Sequence, residues 1–214
     1  VKVILENNYS TPWSQQHELD LSSHGRQRLQ RLSALADQDQ NGVVSSEEAR
    51  NHDALLILQH GQIAWIDDTE DGSKGSGLMH HKFVVIDGER VITGSANFTN
   101  SGIHGDAGAT QTRGNVNHLI SIQSPTLATV FKEEFAQMWG DGPGGSNNSR
   151  FGSNKTAQPL RTVKVGSMNV NVLFPPHAKP HSGHGIDVIE DQLGGAKKTI
   201  DLALFVFSAQ QLSN

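Results

Sequence analysis

The 214-residue sequence contains no cysteine. Disulfides, thiolate nucleophiles and cysteine-ligated metals are therefore excluded, and the absence fits an exported or periplasmic protein as well as many cytosolic ones. No apolar run approaches the roughly 20 residues that a helix needs to cross a bilayer. An initiator methionine and a signal peptide are also missing. The chain opens inside an alternating apolar stretch, VKVIL, which reads as a strand whose preceding elements have been cut away. A basic excess is lacking too: the net charge is −5, which at first counts against a nucleic-acid surface. Its distribution changes that reading. Residues 37–53 hold five acids (Asp37, Asp39, Glu47, Glu48, Asp53) against one base, Arg50, so the remainder is near neutral and charge selects no substrate. With 35% hydrophobic and 18% charged residues, the composition is that of an ordinary globular chain with one or two cores.

Against these absences stands the stretch LMHHKFVVIDGERVITGSAN at residues 78–97. Its polar residues follow H-x-K-x4-D-x6-G-S-x-N, occupied by His80, Lys82, Asp87, Gly94, Ser95 and Asn97. Residues 83–86 are an apolar, β-branched run, and residues two apart on a strand share a face. His80 and Lys82 therefore point the same way, and His81 points the other way as a structural residue. Asp87-Gly88 is a hairpin signal and residues 90–93 read as the returning strand. The return brings Gly94, Ser95 and Asn97 beside Lys82 and His80. An imidazole can attack or donate a proton, while an ammonium and a carboxamide offer fixed donors to oxygens that gain charge. With no acid at its centre, the set favours an anionic, oxygen-rich group such as a phosphodiester over a peptide or a sugar.

At these residues the chain resembles the phospholipase D superfamily, and MHHKFVVIDGERVITGSANFT is most similar to its branch of small endonucleases and phospholipase D-like proteins. The resemblance implies an α/β fold, a mixed sheet flanked by helices. It implies a phosphohistidine mechanism in which one motif histidine attacks phosphorus, a second protonates the leaving alcohol, and water then hydrolyses the intermediate. His80 would be the nucleophile, or the acid if another copy attacks. Lys82 and Asn97 would bind phosphate oxygens, Ser95 would support them and Asp87 would hold the hairpin. No metal is needed for this chemistry. The family builds its centre from two motif copies, so the second is expected from elsewhere in the chain or from a homodimer. The motif neighbourhood slightly favours nucleic acid over phospholipid as substrate; a calcium-stabilised binding module without turnover is the alternative from another class. In the nuclease-like branch a Glu near the next strand orients the histidine; here Asn117 stands there, and Asn117 or Asp106 takes that role.

Taken in order, residues 7–23 read as a loop and 25–36 as a helix running into DQDQNGVVSSEE. Asp37, Asp39, Asn41, Val43 (through its carbonyl), Ser45 and Glu48 occupy positions 1, 3, 5, 7, 9 and 12 of an EF-hand loop, with Gly42 at the sharp turn. A helix over 47–59 would complete an inserted helix-loop-helix at 25–59 that binds calcium structurally. Residues 62–66 read as a strand, and Asp67, Asp68 and Asp71 as solvated turn formers. A strand over 117–122 leads to Ser124-Pro125, an N-cap and first helical residue, and to a helix whose apolar stripe is Leu127, Val130, Phe131, Phe135, Met138 and Trp139, stopped at Gly140. Residues 141–158 read as an exposed Gly/Asn/Ser linker and 161–174 as a hairpin. His177, His181 and His184 lie in a Pro/Gly-rich loop without the acid or cysteine that would complete a metal site. An amphipathic helix over 186–196, an apolar strand over 199–207 and a capping box of Ser208 and Gln211 follow. The divisions expected are a motif-bearing part (1–140), a linker (141–158) and a stretch (159–214) similar to the opening of a second phospholipase D-like repeat. On this reading the chain is a fragment with one motif and is catalytically silent alone.

Overall fold

Alternation in VKVIL produces β1 (Lys2–Leu5), which pairs in parallel with β2 (Ala64–Asp67), Lys2 opposite Ala64 and Leu5 opposite Asp67. Parallel neighbours need a long crossover. Here it consists of three single 3-10 turns between Asn7 and Asp20, then α1 (Ser23–Ala36), α2 (Ser46–His52) and α3 (Ala54–His60). The computed structural model describes residues 1–103, 105, 114–176 and 185–213, so His177, His181, His184 and Asp106 lie outside the described residues.

The single helix expected over 47–59 is two. Asp53 ends α2 and caps α3, its buried carboxylate accepting from the Leu55 N–H (3.1 Å) and from the N–H and hydroxyl of Ser14 (3.0 and 2.9 Å). Aspartate competes for backbone donors in this way and so favours caps over helix interiors.

After β2 come β3 (Phe83–Ile86), β4 (Arg90–Gly94), the single turn α4 (Asn100–Ile103), β5 (Leu119–Gln123), α5 (Pro125–Trp139), β6 (Arg161–Val165), β7 (Met168–Val172) and α6 (Gly185–Gly194). The chain is α/β, but its strands form three sheets where one mixed sheet was expected: the parallel pair β1-β2, the antiparallel β3-β4-β5 and the hairpin β6-β7.

Helix α5 joins them. The Ser124 hydroxyl accepts from the Leu127 N–H (3.2 Å), Pro125 sits in the first turn, and Gly140 ends the helix at φ 56°. A β-carbon on Gly140 would stand 2.2 Å from Asn148 Oδ1, so both the conformation and the space require glycine. Leu127, Ala128, Val130 and Phe131 pack in one cluster with Val91 of β4 and with Val163, Val172 and Phe174 from the β6-β7 region. Lower on the helix, Met138 and Trp139 meet Ile66 of β2 and Phe151. The last contact corrects the reading of 141–158 as exposed: Ser149, Phe151 and Lys155 are buried, because Phe151 completes the apolar floor under β2.

Two further expectations differ. Residues 199–207 form no strand, and Ile200, Leu202, Leu204, Phe205, Val206 and Phe207 are exposed; an extended segment is not stable without a hydrogen-bonding neighbour, and none pairs with it among the described residues. Gln211 makes no capping box with Ser208. It donates to Asp187 (3.1 Å) and Glu190 of α6. No helix among the described residues is long and apolar enough to cross a membrane.

Because Leu127 is 1% exposed at the centre of this packing, Leu127→Ala is expected to lower the unfolding free energy by about 2–5 kcal/mol in urea titration. Leu19→Ala, at a 95% exposed site, is expected to change it by less than about 0.5 kcal/mol.

Candidate functional site

The turn sets the site. Asp87 and Gly88 both have positive φ (54° and 69°), and the Glu89 N–H donates to the Ile86 carbonyl at 2.9 Å, the two-residue turn for which Asp-Gly is suited. It fixes the register Ile86 with Arg90, Val85 with Val91, Val84 with Ile92 and Phe83 with Thr93. One step further, Lys82 comes opposite Gly94. Asp87 stays at the other end of the hairpin, five residues from Lys82 and about 16 Å away at a strand's rise per residue, so it shapes the turn and does not join the polar cluster.

Gly94 lies against the neighbouring chain. A β-carbon there would fall 2.1 Å from the carbonyl oxygen of His118. The close approach allows a pair of hydrogen bonds between the segments just beyond β4 and before β5: the Ser95 N–H donates to the His118 carbonyl (3.1 Å), and the His118 N–H donates to the Ser95 hydroxyl (3.1 Å). The Ser95 hydroxyl in turn donates to Asn117 Oδ1 (2.9 Å), with His118 Nδ1 at 3.3 Å. Its one hydrogen is thereby committed, which suits Ser95 to supporting the loop. Asn97 is exposed, and its carbonyl accepts from the Thr99 N–H (2.8 Å) at the entry to α4.

The Asn117 amide donates to the carbonyls of Gly102 (3.0 Å) and Asn115 (3.3 Å). Asn117 therefore orients Ser95 and α4, and the expected orienting contact to His80 is not the one it makes. His118 was missed by sequence reasoning, although its place beside Asn117 at the start of a strand was the available signal.

On the other side of the hairpin, Lys82 Nζ donates to the His80 carbonyl (2.8 Å) and the Thr93 hydroxyl to the Lys82 carbonyl (3.1 Å). Burial pushes the His80 pKa below its ordinary 6.5, and the nearby Lys82 and His81 add to that. Burial also lowers the Lys82 pKa. A depressed imidazole pKa leaves His80 uncharged at neutral pH, the form that carries a lone pair for attack.

Behind this tripeptide are groups that the sequence reading passed over. His81 Nε2 lies 3.0 Å from Oε1 of Glu134, a fully buried carboxylate on α5 that also pairs with Lys155. Asp68, read as a solvated turn former, is fully buried: it accepts from the N–H groups of Asn7 (3.1 Å) and Met79 (2.8 Å) and pairs with Lys74 at 3.4 Å. Asp71 accepts from the Ser149 N–H (2.7 Å). The signal for Glu134 was present, since it falls in the α5 stripe three residues after Phe131 and four before Met138, where an apolar residue is expected.

In residues 37–48, one carboxylate oxygen each from Asp37, Asp39 and Glu48 lie within 4.8 Å of one another. Gly42 turns the loop at φ 83°, and Glu48 closes a capping box with Ser45. Glu48 Oε1 also accepts from the N–H groups of Gln38 (2.7 Å) and Asp39 (3.4 Å). Hydrogen bonds from the Ser45 backbone and hydroxyl, then from Gln38, hold its pKa at about 2. Asn41 Oδ1 is engaged by the Val43 N–H (2.8 Å).

An imidazole and an ammonium projecting from a hairpin beside a G-S-x-N return define a phospholipase D-like domain. The chain belongs to this family: residues 1–139 match the family described as cardiolipin synthase, PLD-like domain. Among curated proteins it is similar to the mitochondrial cardiolipin hydrolases of Xenopus tropicalis (28% identical over 109 residues, 51% of this chain and 42% of that one) and Mus musculus (32% over 113 residues, 53% and 42%). The Danio rerio protein of the same name is 34% identical over 61 residues, 28% of this chain and 23% of its own. The chain thus spans less than half the length of these relatives. No solved structure gives a significant match.

The position of His80 beside a cation has a measurable consequence. Its imidazole is expected to titrate below pH 6.5 when followed by NMR. Lys82→Met, which removes a neighbouring positive charge, is expected to move that midpoint upward; an unchanged midpoint would show that the two groups do not interact.

Proposed function

We propose that this chain carries one active half of a phosphodiesterase that cleaves a phospholipid through a phosphohistidine. The observation carrying the reading is the hairpin register, which sets Lys82 opposite Gly94 and so brings the segment of His80 and Lys82 alongside the return that leads to Ser95 and Asn97. In the first step a His80 ring nitrogen attacks phosphorus, a P–N bond forms and the P–O bond to the alcohol breaks. The departing oxygen takes a proton from a second imidazole, which a second motif supplies from elsewhere in the protein or from a second copy. Water then breaks the P–N bond. Lys82 and the Asn97 carboxamide offer donors to the phosphoryl oxygens as their charge grows, the kind of fixed donor set that stabilises such transition states. Ser95 and Asn117 keep that loop in place.

Phospholipid is favoured over nucleic acid on two grounds. The relatives named above are cardiolipin hydrolases, and apolar side chains stand exposed beside motif residues: Leu78 before His80, Phe98 after Asn97, and Val116 and Leu119 on either side of Asn117 and His118. Such a border fits acyl chains better than a polyanion, whose binding surfaces are rich in Lys and Arg. The motif neighbourhood had slightly favoured nucleic acid. A non-catalytic, calcium-stabilised binding module remains the reading from another class.

Incubating the protein in a form that supplies both motif copies with cardiolipin vesicles and, separately, with plasmid DNA is expected to release lipid product and leave the plasmid intact, with release abolished in His80→Ala; residues 1–214 with one motif copy are expected to release none. Plasmid cleavage alone would reverse the substrate order, and no turnover together with no trapped phosphohistidine would favour the binding module.

We also propose that Asp37, Asp39, Asn41, the Val43 carbonyl, Ser45 and Glu48 bind calcium structurally. The clustered carboxylates and the Gly42 turn support this, and a calcium-loaded state requires Glu48 and Asn41 to exchange their present hydrogen bonds for the ion. Calcium is expected to raise the melting temperature and a chelator to lower it. The same calcium-dependent shift in Asp37→Ala with Glu48→Ala would remove the proposal.

A further inference from the structure

We propose that Glu134, His81 and Lys155 form a positioning unit for His80 and Lys82. The proposal rests on His80 being the reacting group.

Glu134 is fully buried within the apolar stripe of α5, and a buried carboxylate is unfavourable unless its oxygens are paired and hydrogen-bonded. It is fully served: His81 Nε2 at 3.0 Å and Lys155 Nζ on Oε1, and Gln137 Nε2 on Oε2 at 2.6 Å. Burial raises its pKa, but His81 and Lys155 outweigh that and hold it below the ordinary value, so it stays ionised. Lys155 is buried too, and its ammonium also donates to the carbonyls of Pro175 (3.1 Å) and Phe174 (3.4 Å). Core stability does not explain such a group, because buried ion pairs exchanged for apolar side chains of similar volume often cost nothing or stabilise.

What the network does hold is the segment carrying the motif. The His81 ring is fixed at its Nε2 by Glu134 and packed edge-on against Phe83 and Phe174, with centroids at 5.5 and 5.7 Å. His80 and Lys82 are its two neighbours in the chain. Asp68 holds the Met79 N–H (2.8 Å) and the Thr93 hydroxyl holds the Lys82 carbonyl (3.1 Å). Met79, His81 and Lys82, the residues flanking His80, are thus each tied to the body of the fold. Displacements of about 1 Å can cost about a hundredfold in rate, so the ties set how well the imidazole is aimed. Lys155 lies beyond residues 1–139, the part that matches the family; on this reading the segment after α5 contributes to the same site.

The test uses Lys155→Met, Glu134→Gln and the double variant Glu134→Leu with Lys155→Met, each in the full protein. Backbone amide and imidazole signals of residues 79–83 are followed by NMR, and kcat and KM are measured on bis(p-nitrophenyl) phosphate. Expected are shifted or broadened signals at His80 and Lys82 and a kcat lowered about tenfold to a hundredfold, with KM changed less than twofold. The double variant removes both buried charges together, so it is the one read if a single variant unfolds. Unmoved His80 and Lys82 signals, or unchanged kcat in a folded variant, would overturn the proposal. If the parent protein turns over no phosphodiester, the catalytic reading fails, and the NMR comparison alone decides whether the unit positions His80.

Discussion

Burial of the apolar face of α5 by elements of all three sheets is the constraint from which the other contacts follow. The apolar face of this helix takes Val91 and the partly buried Phe83, Val85 and Ile122 of the antiparallel sheet together with Val163, Val172 and Phe174, Phe131 packing edge-on against both Phe83 and Phe174. Its last turn reaches Ile66 and Phe151. None of the three sheets is large enough to bury an apolar face alone; a two-stranded ribbon in particular is marginal without something packed on it. The helix is therefore the shared partner, and the hairpin carrying the motif is placed relative to everything else through it.

The parts of this arrangement legible in the sequence were those set by short-range chemistry. Asp87-Gly88 determines a turn type, the turn determines the register, and the register brings Gly94 to Lys82; each step needs only neighbouring residues. Ser124-Pro125 and Gly140 mark the ends of α5 for the same reason. The errors came where a polar residue was read by its usual surroundings. Asp53 was placed inside one helix over 47–59 and Asp68 among solvated turn formers, whereas the fold brings distant donors to them, the Ser14 hydroxyl and N–H and the Met79 N–H. Sequence separation of 39 residues in the first case puts that contact beyond any local pattern. Residues 199–207 failed in the opposite sense, since their nearly continuous apolar run satisfies strand chemistry but no strand among the described residues lies alongside to pair with them.

Of the expected site, the structure brings together Lys82, the His80 backbone and the Gly94-Ser95 return, adds His118 and Asn117 behind Ser95, and leaves Asp87 at the turn. The glycine explains why a motif of this kind fixes a residue without a side chain. With the His118 carbonyl 2.1 Å from where a β-carbon would stand, any other residue would push β5 away and break the paired Ser95–His118 bonds that hold the loop before Asn97.

Charge is arranged with the same economy of position. The site presents an ammonium, an imidazole of lowered pKa and neutral amides, yet two carboxylates stand directly behind it. Each carries its own cation: Asp68 pairs with Lys74 at 3.4 Å and Glu134 with Lys155. A lone carboxylate in a poorly screened interior would act on Lys82 across the width of one strand and would draw the His80 pKa upward by favouring the imidazolium. Pairing each acid locally cancels most of that field beyond a few ångströms and keeps its hydrogen-bond acceptors for the Met79 N–H and the His81 ring. The depressed His80 pKa follows first from burial, with the positive charge on Lys82 and then His81 adding to it, and the Lys82 charge is also one that a phosphate would meet on approach.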